Sequence, residues 1–181
     1  LAKEYKIDNL CLAGGVALNC VANGKILRDG AFKNIWVQPA AGDAGGSLGA
    51  AMTVHHHYLG EARKVDGHRD LMDGSYLGPG FEQQEIEQRL KKVGAIFEVL
   101  DEESLISKTA IALADEKAIG WMQGRMEFGP RALGGRSIIA DARSTRMQKI
   151  LNLKVKYRES FRPFAPSVLC EDTNGWFDLE G

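Results

Sequence analysis

The chain has 181 residues, with 23 lysines and arginines against 24 aspartates and glutamates, and a net charge of -1. At 44% hydrophobic and 26% charged residues it reads as one large folded domain or two small ones, not a disordered tail. Near-neutral charge excludes a bulk pull on nucleic acid, and no run of eighteen apolar residues offers a membrane span.

The start, Leu1-Ala2-Lys3, is neither an initiator methionine nor a signal peptide, which predicts a piece of a longer protein. Three cysteines, Cys11, Cys20 and Cys170, show no ligand spacing and point to reduced thiols in the cytoplasm. Asp8 to Ala13 reads as a short buried strand running into Gly14-Gly15, and Val16 to Leu27 spaces its apolar residues like a helix that stops near Gly30. Asn34 to Gln38 is a second strand, ended by Pro39, and a glycine turn from Ala41 to Gly46 opens a second helix. Strand, tight turn and helix, repeated, predict an α/β fold with nucleotide-type loops at the strand ends. Periodicity is lost from Leu59 to Pro79, which predicts a division into residues 1–60, a linker at 61–75 and a second unit at 76–181. In that unit the pattern predicts helices over Glu82–Val93, Ser104–Asp115 and residues 144–153. It predicts strands over Phe97–Leu100, Ala118–Met122 and Phe164–Leu169.

The most unusual stretch is GRMEFGPRALGGRS, Gly124 to Ser137, with three arginines, four glycines and a proline in fourteen residues. Between Trp121 and Pro163 ten cationic side chains face three acidic ones, a local net charge of +7. Arg125, Arg131 and Arg136 are spaced too unevenly to share a helix face. Arginine forks pair with phosphate or carboxylate oxygens two at a time, so several on a bent glycine-proline backbone predict a site for a polyanionic small molecule. Ser137 adds a hydroxyl, and Glu127 is expected to pair with an arginine and orient it. Two other readings stand beside this one: arginines engaged only in surface ion pairs, and a basic RNA-binding module without catalysis. Nucleic acid is the weaker of these, because Phe161 and Phe164 read as a strand core instead of exposed stacking rings.

Elsewhere the signals are softer. Gly14, Gly15 and Asn19, between a strand and a helix, suit contact with a phosphate or ribose edge; a tight packing turn explains them equally well. Asp43 reads best as a helix cap, with a metal or Mg-nucleotide contact as the alternative. The run His55-His56-His57 points its rings in different directions on a helix and reads as an exposed helix end.

Taken together, the quoted motifs resemble the C-terminal portion of the O-carbamoyltransferases of the nodulation protein U, cephamycin and tobramycin type. AGGVALNCVANGKI and QPAAGDAGGSLGAA are similar to the last elements of that family's actin-like ATPase domain. YLGPGF, GRMEFGPRALGGRSIIADAR and LNLKVKYRESFRPFAPSV are similar to its YrdC-like domain. The resemblance implies an enzyme that forms carbamoyl adenylate from carbamoyl phosphate and ATP, with loss of pyrophosphate, and transfers the carbamoyl group to the hydroxyl of a small-molecule acceptor. It implies an iron-type divalent metal in the actin-like domain and Mg with ATP. It assigns Asp43 as a metal ligand, against the cap reading, and Gly14, Gly15 and Asn19 to the nucleotide. Arg125, Arg131 and Arg136 fall to catalysis, and Ser137, Lys156, Arg158 and Arg162 to substrate binding. It places the family's histidine ligands and most of the actin-like fold before Leu1, so this chain alone is expected not to complete the transfer. Family members carry asparagine where Gly135 stands and proline where Ala142 stands; Gly135 is expected to loosen the loop around Arg136. No membrane partner is expected, and a homodimer stays open.

Overall fold

A computed structural model describes residues 2–65 and 67–178. Its elements in chain order are α1 (Ala2–Tyr5), β1 (Asn9–Leu12), α2 (Cys20–Arg28), β2 (Asn34–Val37), α3 (Asp43–Thr53), α4 (Gln83–Lys92), α5 (Glu102–Ala114), β3 (Ile119–Met122), β4 (Arg136–Ile139), α6 (Met147–Ile150) and α7 (Thr173–Trp176). Helices and small sheets alternate, so the fold is α/β. The chain forms two compact units: residues 1–95 with 122–137, and residues 96–121 with 138–181.

In the first unit β1 and β2 run parallel, with Asn9 opposite Asn34 and Leu12 opposite Val37. Parallel neighbours need a crossover, supplied by α2. The register is pinned at its start, where Asn34 Nδ2 donates to Asn9 Oδ1 at 2.8 Å. The predicted first helix breaks in two: a 3-10 turn over Gly15–Leu18, then α2. Asn19 stands at the break and caps α2, its Oδ1 accepting from Ala22 N at 3.1 Å. Alternate residues of β1 and β2 are half-buried and exposed, so β1 is not the fully buried strand expected. Past α3 the helix widens into a π-helical turn over Val54–Tyr58. There His55 and His57 are exposed and His56 is half-buried, its Nδ1 lying 2.7 Å from the Glu61 carbonyl oxygen.

Helix α4 ends in a glycine cap. Gly94, at φ 68°, lets Ala95 N reach Leu90 O at 3.0 Å and Gly94 N reach Lys91 O at 3.1 Å, which satisfies the last carbonyls. In the second unit Asp101 Oδ1 caps α5 by accepting from Ser104 N at 2.7 Å. At the far end of α5 Glu116 takes the left-handed position, φ 59°, and its carboxylate accepts from Ser144 Oγ and from the Arg146 guanidinium.

Two predicted strands do not form. Phe97–Leu100 and Phe164–Leu169 have no ladder partner. Ile96 is wholly exposed, and Phe161 is 76% exposed instead of lying in a strand core. The predicted helix over 144–153 is α6 followed by a π-helical turn over Leu151–Val155. β4, which pairs with β3, arises inside the arginine stretch. Among the described residues the best-buried side chains of the first unit are Ala17, Ala41, Ser75 and Glu127; those of the second are Met147, Leu151 and Asn152. Cys11, Cys20 and Cys170 are free and exposed, and no described helix is long and apolar enough to cross a membrane.

Candidate functional site

The turns that follow β1 and β2 meet at the C-terminal ends of the parallel strands, where open α/β sheets place their ligands. Gly14 N donates to Ala41 O at 2.7 Å. Ala40 sits at φ 52° and accepts from Gly45 N at 2.8 Å, which tightens the turn into α3. Asp43 is not the cap of α3, since Gly42 holds that position; Asp43 is the first helical residue and is exposed. The carboxylate therefore faces solvent near the positive end of the helix dipole. Among the described residues no group of three or more His, Cys, Asp or Glu side chains could hold a metal. Asp43 by itself supplies one oxygen-donor side chain, which does not make a metal centre.

The arginine stretch belongs to this same unit from Met122 to Ser137. Phe128 N donates to Ser75 O at 2.6 Å, and Met126 N to Pro79 O at 3.0 Å. Gly129 comes so close to Ala40 that a Cβ built on it would lie 2.5 Å from the Ala40 Cβ. Its φ of 101° independently demands glycine. The loop is therefore seated on the turn between β2 and Asp43.

The three arginines do different work. Arg125 donates from Nε to Tyr76 O at 3.1 Å and from Nη2 to Leu77 O at 3.2 Å. Arg136 donates to the carbonyls of Gly135 at 2.7 Å, Gln123 at 3.1 Å, Gly124 at 3.2 Å and Pro79 at 3.2 Å. Both forks are occupied by backbone oxygens. Arg131 is exposed and makes no hydrogen bond or ion pair among the described residues. Ser137 Oγ accepts from Gly134 N at 3.2 Å, so this hydroxyl braces the loop.

Among the described residues Glu127 pairs with no guanidinium, contrary to expectation. It is 6% exposed, and its Oε1 accepts from the backbone N–H groups of Leu133 at 2.8 Å, Gly135 at 2.6 Å and Arg136 at 3.0 Å. These bonds, that of Leu133 foremost, hold its pKa at about 2, because each favours the charged form. Gly135 does not loosen the loop either. It is buried, and a Cβ there would meet Arg125 O at 2.7 Å and Glu127 Cδ at 3.2 Å.

Lys156, Arg158 and Arg162 lie in the second unit. Asn152, with 0% exposure, organises this segment and escaped the sequence reading. Its Nδ2 donates to Arg162 O at 2.8 Å and Ser160 O at 3.1 Å, and its Oδ1 accepts from Arg158 Nε at 2.6 Å. Arg158 also stacks 4.9 Å above the Phe164 ring, a cation–π contact. Arg162 pairs with Glu159 at 2.9 Å, and Lys156 is exposed. Between Lys156 and Arg158, Tyr157 adopts φ 49° and is 85% exposed. Nearby, the Arg143 guanidinium bonds Asp141 and holds its pKa at about 2.

The α/β chain thus combines glycine turns at its strand ends with a braced loop that presents an exposed arginine. Comparison with known families makes the class specific. Residues 1–52 match the model described as carbamoyltransferase N-terminus, and residues 110–181 the one described as carbamoyltransferase C-terminus. The chain belongs to the carbamoyltransferase family. It is 61% identical over 180 residues to the uncharacterized protein sll1178 of Synechocystis, covering 98% of this chain and 29% of that one. It is 48% identical over 174 residues to the nodulation protein NolNO of Sinorhizobium fredii, covering 96% and 25%. It is 37% identical over 161 residues to the nodulation protein U of Rhizobium fredii, covering 89% and 25%. This chain therefore spans between a quarter and a third of these relatives' length.

Proposed function

We propose that the chain carries the carbamoyl-activating loop of an ATP-dependent O-carbamoyltransferase. Residues 1–60 are read as the end of an actin-like, carbamoyl-transferring domain and residues 76–181 as part of a YrdC-like activating domain. The supporting observation is a solvent-facing Arg131 on a loop whose other charges, Arg125, Glu127 and Arg136, are bound to backbone groups. The donor is carbamoyl phosphate. Water takes its phosphoryl group as inorganic phosphate, and the carbamate oxygen so freed attacks the α-phosphorus of ATP. Pyrophosphate leaves and carbamoyl adenylate remains. The hydroxyl oxygen of a small-molecule acceptor then attacks the carbamoyl carbon, losing its proton as AMP departs.

In this reading Arg131 neutralises charge building on the transferred phosphates. Arg125 and Arg136 hold the loop, and Lys156, Arg158 and Arg162 are read as the substrate-binding cations of the second unit. Gly15 offers its backbone N–H to nucleotide, Gly14 shapes the approach with its own N–H held by Ala41 O, and Asn19 shapes that turn as the cap of α2. Asp43 would give one ligand to a divalent metal completed by groups outside these residues. The reading places the protein in the cytoplasm. The test is carbamoyl-phosphate-dependent release of pyrophosphate from ATP by the full chain, compared with Arg131→Ala. Loss of one such cation is expected to slow release about a hundredfold with the melting temperature unchanged. Equal rates in the two proteins would overturn the reading.

One observation favours a second reading, as an RNA-binding module. Tyr157 and Phe161, at 85% and 76% exposure, lie among cations as stacking rings do. Saturable binding of a single-stranded RNA that ATP does not displace would favour it.

A further inference from the structure

We propose that Glu127 is the positioning residue of the anion site: by gathering the N–H groups of Leu133, Gly135 and Arg136 on one carboxylate oxygen, it sets where Arg131 stands. This rests on the reading of the loop as an anion site and adds to it the residue through which Arg131 is held.

Chain order makes the argument concrete. The bond from Leu133 N to Glu127 Oε1, at 2.8 Å, closes a ring around Phe128-Gly129-Pro130-Arg131-Ala132. Arg131 lies inside that ring, directly after a proline that fixes its own φ. On the entering side Phe128 N is bound to Ser75 O at 2.6 Å, and Gly129 abuts Ala40. On the leaving side the Tyr76 hydroxyl donates to Leu133 O, while Gly135 N and Arg136 N converge on the same carboxylate oxygen. The backbone of Arg131 is thus held from both directions while its guanidinium stays unengaged. A carboxylate among arginines would ordinarily be read as an ion-pair partner, yet both neighbouring forks go to carbonyl oxygens. Deleting the Glu127 charge therefore releases no arginine; it weakens the hold on three peptide N–H groups and on the return path of the loop. A cation held in advance where phosphate charge will sit is worth more than one that must be ordered on binding.

The test is calorimetric titration of the full chain with carbamoyl phosphate and, separately, with inorganic pyrophosphate. The variants are Arg131→Ala, Glu127→Gln and their combination. Arg131→Ala and Glu127→Gln are each expected to weaken binding about tenfold, since charge-assisted bonds are roughly twice as strong as neutral ones. The double variant is expected to be no weaker than Arg131→Ala alone, and hydrogen exchange at Leu133, Gly135 and Arg136 to quicken in Glu127→Gln. Glu127→Asp keeps the charge one methylene short and is expected to give an intermediate loss, which serves if Glu127→Gln does not fold. Losses that multiply in the double variant would mean that Glu127 does not act through Arg131, and the proposal fails. Wild-type affinity in Glu127→Gln overturns the Glu127 role while leaving the anion site standing. A wild-type chain that binds neither anion overturns the anion reading and this proposal with it.

Discussion

Gly129 and Ala40 touch so closely that no side chain fits between them: a Cβ on the glycine would lie 2.5 Å from that of the alanine. The contact seats the arginine-rich loop on the turn that leads from β2 to Asp43. Gly129→Ala therefore meets two penalties, the clash and a φ of 101°, together costing on the order of 2–4 kcal/mol. Denaturant titration should show the midpoint falling. Adding Ala40→Gly removes the clash but not the strained backbone, so the double variant should recover part of the loss and not all of it. Ala40→Gly alone is the reference, because glycine also relieves the φ of 52° at that position; a double variant as stable as that reference would mean that the Gly129 backbone angle costs nothing.

Glu127 makes the loop sensitive to acid. Its pKa is lowered from 4.5 to about 2 in the folded state. A depressed carboxylate contributes stability that is fully present above its unfolded pKa and is lost as pH falls through the folded one. Between about pH 4.5 and pH 2 the wild type should therefore lose stability more steeply than Glu127→Gln, and above pH 5 the difference should be constant. Melting curves across that range check it. Asp141, also at about 2 beside Arg143, titrates in the same window in both proteins and cancels in the comparison.

Asn152 predicts a third outcome. Its amide serves two carbonyls and one guanidinium nitrogen at 0% exposure. Asn152→Ala leaves those partners unsatisfied at about 1–3 kcal/mol. Asn152→Asp should cost more, because a carboxylate oxygen would then face the carbonyls of Ser160 and Arg162. Hydrogen exchange should rise over residues 156–162 in both variants. Unchanged protection there would show that the basic segment is held by something else.

Much of the fold is legible because it obeys a period. β1, β2, α4, α5 and β3 fall within a residue or two of their expected bounds, where glycines and caps mark the ends. The failures have one cause. Phe97–Leu100 and Phe164–Leu169 have strand composition, but a strand exists only if another pairs with it, and pairing is not written locally. β4 is missed for the reverse reason: Arg136 and Ser137 read as loop chemistry, and only the partner strand β3 makes them part of a ladder.

At the candidate site, residue type is what suggests an anion, and it hides the division of labour among the charges. Nothing in the spacing of Arg125, Arg131 and Arg136 distinguishes a guanidinium bound to carbonyls from a free one. Glu127 looks like an ion-pair partner because its neighbours in sequence are basic; its true partners are peptide groups six to nine residues on. Asn152 carries no signal at all until the chain folds back over it.

The way Glu127, Arg125 and Arg136 are satisfied has a further consequence. None of the three is neutralised by an opposite ion; peptide dipoles solvate each of them at contact distance. Counter-ions weaken attractions that act across solvent over a Debye length of about 8–10 Å and barely touch bonds of this range. If Arg131 meets a phosphate as proposed, raising ionic strength should thus loosen that grip without altering the contour of the loop that holds it out.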